Sequence, residues 1–155
     1  MPLGKLKAFL DKHKIKYVII QHSLAYTASE IAALAHVPGK KLAKTVIIKL
    51  GDRLAMAVLP ASFRISVQDL ENALNEKKVK IADETDFENQ FSDCELGAMP
   101  PFGNLYNMDV YVSESLAEDD EITFNACSHR ELIRLSFKDF KKLVKPRIIK
   151  FSYQN

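Results

Sequence analysis

Lys44 occupies the position in this sequence that most strongly suggests chemistry. It begins an apolar run in phase with Val46 and Ile48, so the alternation of a strand points its side chain toward a core face. An ammonium group is costly to desolvate without a partner. Two interpretations stay open: the long stem returns the ammonium to solvent at the strand end, or the ammonium meets an anion at the mouth of a pocket.

Residues 96–104 form a second unusual stretch, because Gly97, Pro100, Pro101 and Gly103 fall within it. Glycine permits backbone angles closed to other residues, and proline fixes φ and removes a donor. Together they predict a rigid, non-repetitive loop that exposes backbone amides and carbonyls at fixed positions. The loop is either a connector or part of a binding site.

The histidines give little sign of a metal centre. His22 and His129 lie at predicted loop–strand junctions, whereas His13 falls on a polar helix face and His36 near a helix C-terminus. No pair has the spacing of ligands on one helix face, so no metal site and no cofactor are expected. P-loop, dinucleotide-binding and GxSxG motifs are also missing from the sequence.

Composition predicts one ordinary globular domain over residues 1–155, with a net charge of only +2. A polyanionic partner would therefore need a local basic patch. Lysines and arginines gather loosely at 40–41, 77–80 and 138–147. These clusters are either solvated faces or a discontinuous track for an RNA backbone.

The two cysteines, Cys94 and Cys127, form no CxxC motif. We expect both to act as small buried hydrophobic residues in a reducing cytosol rather than as a disulfide. The N-terminus runs directly into a charged amphipathic segment without a signal peptide, and no apolar run approaches the length of a membrane span. The expected location is the cytoplasm, with no membrane partner.

The elements that position Lys44 begin with a predicted β-hairpin. The apolar runs 46–50 and 54–59 flank Gly51-Asp52, which suits a two-residue type II′ turn. Because both faces of these strands are apolar, the hairpin should lie in the middle of a covered sheet.

Periodicity and capping residues predict the other elements. Ser66 and Ser136 should cap helices, and a capping box at Thr27–Glu30 should begin another. Helices are expected near 3–12, 27–36, 67–74, 83–91 and from 137, and strands near 17–22, 79–82, 109–112, 121–125 and 129–135. Between them we expect an acidic surface loop at 114–121, a small-residue turn at 125–129 and an extended tail at 147–151. Helices and strands alternate along the chain, and several connections between strands are as short as those of β-hairpins. This pattern favours an α+β fold with a mixed, mainly antiparallel sheet and helices packed outside.

Three ordered segments resemble the YbaK/ProX family of aminoacyl-tRNA deacylases and the similar editing domain of bacterial prolyl-tRNA synthetases. They are Gly39–Val46, Gly97–Gly103 and Phe124–His129, preceded by His22 and by Thr27–Ala32. The resemblance covers nearly the whole chain, without a synthetase attached. It implies a pseudo-barrel domain that acts in trans on a mischarged tRNA. The implied substrate is tRNA(Pro) that carries alanine, another small amino acid or cysteine.

The resemblance also implies roles for particular residues. Lys44 would hold the phosphate or ester end of the 3′-terminal adenosine, the Gly97 loop would stabilise the oxyanion, and His129 would shape the amino-acid pocket without acting as general base. The substrate-binding residues it implies are His22, Tyr26, Thr27, Thr45, Pro101, Gly103, Asn125 and Ser128. The implied partners are the tRNA 3′ end and, for recruitment, prolyl-tRNA synthetase or an elongation factor.

Cys127 departs from the family pattern, which commonly has glycine there. Its side chain would narrow the pocket, shift the His129 backbone or abolish activity. If the side chain abolishes activity, the chain is a catalytically silent module that binds tRNA or a synthetase. An esterase that acts on small molecules with the same site is a further alternative.

Overall fold

The computed structural model describes residues 4–22, 38 and 41–154. The predicted helix at 27–36 lies outside these residues. The helices are α1 (Gly4–Lys12), α2 (Val67–Leu74), α3 (Glu84–Phe87), α4 (Glu114–Ala117) and α5 (Phe137–Val144), with 3₁₀ turns at Glu88–Phe91 and Gly103–Leu105. The strands are β1 (Tyr17–Gln21), β2 (Leu42–Leu50), β3 (Arg53–Pro60), β4 (Phe63–Ile65), β5 (Val79–Ile81), β6 (Asp109–Ser113), β7 (Glu121–Ser128), β8 (Glu131–Ser136), β9 (Arg147–Ile149) and β10 (Ser152–Gln154).

The main sheet has the strand order β1-β8-β7-β2-β3-β6-β9, and β5 pairs with β2 beside this path. The β1–β8, β7–β8, β2–β3 and β2–β5 pairs are antiparallel, while β2–β7, β3–β6 and β6–β9 are parallel. A separate antiparallel pair joins β4 to β10. The predicted α+β class with a mixed, mainly antiparallel sheet is confirmed.

The β2–β3 hairpin lies at the centre of the main sheet, as its sequence predicted. Leu50 faces Arg53, which leaves a two-residue turn, and Gly51 takes the positive φ of 65° that a type II′ turn requires at its first position. Ile47 packs into a large core with α1 and α5, whereas Ile48 packs into a smaller core against α2. Both faces of the hairpin are therefore covered.

Local capping signals also produced the predicted helices. The Ser66 and Ser136 hydroxyls each accept a hydrogen bond from the backbone N–H three residues later, at the starts of α2 and α5. Within the described part of the chain, no helix is both long enough and apolar enough to cross a bilayer.

Four predicted segments differ in the structure. The single helix expected at 83–91 is α3 followed by a 3₁₀ turn, and the acidic loop begins with the short helix α4. The tail forms β9 and β10, each paired with a strand distant in sequence. The turn expected at 125–129 falls at His129-Arg130 instead, since β7 continues through a bulge to Ser128.

Gly103 gives a test of the packing around the rigid loop. A Cβ atom there would collide with the carbonyl of Met108 and the side chain of Val110. We expect Gly103→Ala to lower the free energy of unfolding by about 1–3 kcal/mol, because a close-packed site cannot absorb a methyl group without shifts. Urea denaturation measures the change. The control Asn104→Ala, at an exposed neighbour, should stay within about 0.5 kcal/mol of wild type; an equal loss in both variants would contradict the packing argument.

Candidate active site

The turn between β7 and β8 carries His129 in a buried position. Its Nε2 lies 2.7 Å from the carbonyl oxygen of Leu96. Because a carbonyl only accepts, Nε2 must carry a proton, so in the neutral ring Nδ1 is the unprotonated nitrogen. The backbone N–H of His129 also donates to the Glu95 carboxylate at 3.2 Å. His129 is thus fixed to the 95–97 segment through both its ring and its backbone.

Gly97 lies directly against the His129 ring. It has a φ of +85°, and a Cβ atom built there would stand 3.4 Å from Cε1 of His129. Backbone hydrogen bonds from Cys127 to Ala98 and from Glu95 to Cys127 attach the loop to the end of β7. Gly97 and His129, which are 32 residues apart in the chain, are therefore in contact.

The structure corrects the prediction for the cysteines. Cys94 and Cys127 form a disulfide, rather than lying apart as two small buried thiols. The sequence separation of 33 residues concealed this pairing, which exists because the loop before Gly97 folds back onto β7. Cys127 has a positive φ of 66°, a conformation that glycine adopts at no steric cost. Glycine, which the resemblance implies at this position, would adopt this backbone angle without strain.

Tyr106 lies beside the disulfide and donates to the Asp93 carboxylate at 3.0 Å. Burial and that hydrogen bond raise the pKa of the Tyr106 phenol. The Asp93 oxygen and the two sulfurs lie within 4.8 Å of one another, the spacing of a metal site. The sulfurs are joined in the disulfide, so they do not offer the thiolates that a soft metal would bind.

Lys44 lies half-buried in a groove of about 630 Å³ between β2, β4 and β10. Burial lowers the pKa of its ammonium, and the nearby positive charge of Arg64 lowers it further. Apolar residues, Ser62 and Tyr153 complete the wall, and no described lining residue of this groove carries a carboxylate. The groove therefore favours an anion.

The parallel β2–β7 pair links the strand that carries Lys44 to the strand that precedes His129. Ala43 faces Phe124 in the parallel β2–β7 pair, which places Lys44 and Asn125 one step further on the same sheet face. The Asn125 side-chain oxygen is buried without a hydrogen-bond partner among the described residues. His129 follows Asn125 by a strand length of at most about 13 Å. The described lining of the Lys44 groove includes neither Gly97 nor His129.

The other residues that the resemblance implied take different positions. The backbone N–H of His22 donates to the Arg130 carbonyl, so His22 lies beside the His129 turn, and the Ser128 hydroxyl accepts from the Arg130 N–H within it. Thr45 points to the sheet face opposite Lys44, because successive strand residues alternate. Pro101 and Gly103 are buried. Tyr26 and Thr27 lie outside the described residues.

Sequence reasoning missed Arg64 and Tyr153. They face one another across the β4–β10 pair. No motif in the neighbouring sequence indicates a role for either residue. The two lie close together only because strands 89 positions apart in the chain pair with each other. By contrast, every described residue of the three basic clusters is exposed: Lys41, Lys77, Lys78, Lys80, Lys138, Lys141, Lys142, Lys145 and Arg147.

Comparison of the chain with known protein families identifies the class of protein to which this fold and site belong. The family model for the aminoacyl-tRNA editing domain matches residues 22–143, and the chain belongs to that family. No curated protein sequence matches it.

Solved structures share the fold at low sequence identity. The hypothetical protein APE2540 superposes with a TM-score of 0.85 at 16% identity, over 96% of this chain and 99% of its own. A candidate trans-editing enzyme for prolyl-tRNA synthetase superposes with a TM-score of 0.82 at 16% identity, over 98% of this chain and 97% of its own.

The contact between Gly97 and His129 can be separated from backbone strain. Gly97→Ala and Gly51→Ala both place a Cβ at a positive φ, and each should cost about 1–2 kcal/mol of stability. Only Gly97→Ala should move the NMR signals of the His129 ring, because a Cβ at Gly51 meets nothing within 4 Å. Urea denaturation and histidine-ring NMR measure the two effects. Unchanged His129 signals in Gly97→Ala would contradict the contact.

The electrostatic link between Lys44 and Arg64 has its own test. Arg64→Ala should raise the pKa of Lys44, because one of the two causes that lower it is removed while burial remains. A pH titration of the lysine ¹³Cε resonance measures the change. The control Arg53→Ala removes an arginine at the far end of the hairpin and should leave the titration unaltered; equal pKa values in both variants would refute the link.

Proposed function

We propose that this protein is a trans-acting aminoacyl-tRNA deacylase. It hydrolyses the ester of a mischarged tRNA, with alanine, another small amino acid or cysteine on tRNA(Pro) as the substrate. The observation that carries the proposal is Lys44, a half-buried cation in a groove whose described lining has no carboxylate, in a chain of the editing-domain family.

Such an activity answers a physical limit of synthetases. A hydrophobic pocket distinguishes one missing methylene by only about 1–3 kcal/mol, so smaller amino acids are attached at an appreciable rate. A second enzyme whose pocket admits only the smaller residue removes the error by hydrolysis. The proline-specific case fits this logic, because alanine is smaller than proline.

Lys44 binds the phosphate of the 3′-terminal adenosine in this proposal. Desolvation and Arg64 lower its pKa in the free protein, and the phosphodiester, a monoanion, offsets both effects by pairing with the ammonium. Binding energy is therefore largest for a substrate that brings an anion into the groove. Asn125 lies on the same sheet face as Lys44, and its buried side-chain amide is available to the terminal adenosine.

The Gly97 loop and the His129 turn form the acyl end of the site. Water attacks the ester carbonyl carbon, the backbone N–H of Gly97 stabilises the resulting oxyanion, and collapse releases the amino acid and the ribose hydroxyl. His129 uses its Nε2 proton to hold the Leu96 carbonyl, so it positions the loop and shapes the amino-acid pocket rather than acting as general base. The substrate's own 2′-hydroxyl and the backbone orient the water.

The single domain works in the cytoplasm, with the tRNA 3′ end as its ligand; in that reducing compartment thiols can open the Cys94–Cys127 disulfide. Prolyl-tRNA synthetase or an elongation factor brings it to the substrate. The mechanism requires neither a metal nor a cofactor. Support for the synthetase comes from a structural neighbour that is described as a candidate trans-editing enzyme for that synthetase.

Lys44→Ala provides the direct test. It should lower kcat/KM for deacylation of mischarged tRNA by about 100-fold, because the charged contact to the phosphate of the terminal adenosine is lost. Its urea midpoint should not fall, since a half-buried charge is removed. The control Lys49→Ala lies on the same strand but points to the other face and pairs with Asp86 at 3.5 Å, so its activity should match wild type. A panel of mischarged tRNAs identifies the substrate, and wild-type turnover by Lys44→Ala would refute the assignment.

The panel also separates the two alternative functions. A silent binding module would retain tRNA in a filter assay without hydrolysing it, and Cys127→Gly would then restore turnover if the cysteine were the cause. A small-molecule esterase would cleave amino-acid esters equally well without RNA. Neither alternative has an observation in the described residues that favours it over the deacylase.

A further inference from the structure

We propose that the wall formed by Arg64 and Tyr153 binds the nucleotide that precedes the terminal adenosine, with Arg64 contacting its phosphate and Tyr153 stacking on its base. This inference rests on the proposed function, because it extends the substrate outward from Lys44. It adds a binding site for single-stranded RNA that the sequence motifs do not include.

Register places the two side chains together. Arg64 and Tyr153 are directly paired in the antiparallel β4–β10 sheet, so both point to the same face. The strand neighbours of Arg64, which are Phe63 and Ile65, turn inward and pack against the smaller core. The small sheet therefore has one anchored face and one face that presents a guanidinium beside an aromatic ring.

Exposure leaves the ring accessible to a base. Tyr153 is 48% exposed, and Ile81 across the groove is 50% exposed, although both are large apolar side chains. Single-stranded nucleic acids bind surfaces that combine a cationic track with exposed aromatic rings, because every base has a π-face. The groove provides both features beside Lys44.

The positive charges of Lys44 and Arg64 favour the binding of an anionic ligand in this groove. Lys44 and Arg64 are close enough for the arginine to depress the lysine pKa, and no described lining residue contributes a carboxylate. Two like charges held together are stabilised by a ligand with successive negative groups, as in a polynucleotide backbone. A volume of about 630 Å³ accommodates a ligand larger than a single phosphate.

Binding of a deacylated acceptor-stem minihelix with a single-stranded 3′ end, labelled at its 5′ end, tests the site by fluorescence anisotropy. Arg64→Ala should raise Kd about tenfold and reduce the slope of log K against log salt by about one. Arg64→Lys should keep the salt slope. Tyr153→Leu should raise Kd about tenfold with the salt slope unchanged, and Tyr153→Phe, which retains the ring, should stay within about twofold of wild type.

Arg53→Ala is the matched control for lost positive charge. Arg53 lies at the opposite end of the hairpin, about 20 Å from Lys44 along β2, and it should leave Kd within about twofold of wild type. Thermal melting checks that each variant is folded. Kd values for Arg64→Ala and Tyr153→Leu that match Arg53→Ala would overturn the proposal. A wild type that binds prolyl-tRNA synthetase but not the minihelix would also overturn it.

Kinetics distinguish this inference from the deacylase assignment. The ratio of kcat/KM for an aminoacyl minihelix to that for aminoacyl-adenosine, which lacks the preceding nucleotide, should fall about tenfold in Arg64→Ala. An unchanged ratio in an active enzyme would refute the Arg64–Tyr153 site and leave the deacylase intact. A wild type that hydrolyses neither substrate, yet binds the minihelix through Arg64 and Tyr153, would refute the deacylase and retain the site.

Discussion

The half-burial of one ammonium group is the constraint on which the proposed site depends. Lys44 projects from a central strand into a groove where burial and the charge of Arg64 both disfavour its protonated form. An anion that binds in the groove would offset both effects by pairing with the ammonium. The groove is thus preorganised for a ligand that supplies negative charge, and the ligand repairs an electrostatic cost already present in the fold.

A second constraint fixes the other end of the site. The loop before Gly97 and the turn that carries His129 are joined by a ring-to-carbonyl hydrogen bond, by backbone hydrogen bonds and by the Cys94–Cys127 disulfide. These contacts hold two irregular backbone segments in one arrangement. Backbone amides in irregular segments are not hydrogen-bonded to a neighbouring strand, so they can donate to a substrate. Because the segments are rigid, these amides are oriented before the substrate binds.

The sheet connects the two ends. β2 pairs in parallel with β7 over only a short stretch, and this contact sets the distance between Lys44 and the His129 turn. The bulge between Asn125 and Ser128 then redirects β7, and Cys127 takes its left-handed backbone angle there. A bulge at this point re-aims the residues that follow it, which is a common use of bulges beside functional sites.

The sequence by itself determined the features that depend on neighbouring residues: the β2–β3 hairpin with its Gly51 turn, the caps at Ser66 and Ser136, the fold class and the family motifs. Tertiary structure decided whatever depends on residues far apart in the chain. It placed the turn at His129 through the bulge in β7, paired Cys94 with Cys127, and brought Arg64 to Tyr153 through β4 and β10. The physical reason is that turns and caps are fixed by backbone preferences within a few residues, whereas strand pairing across many residues is selected only when the whole core packs.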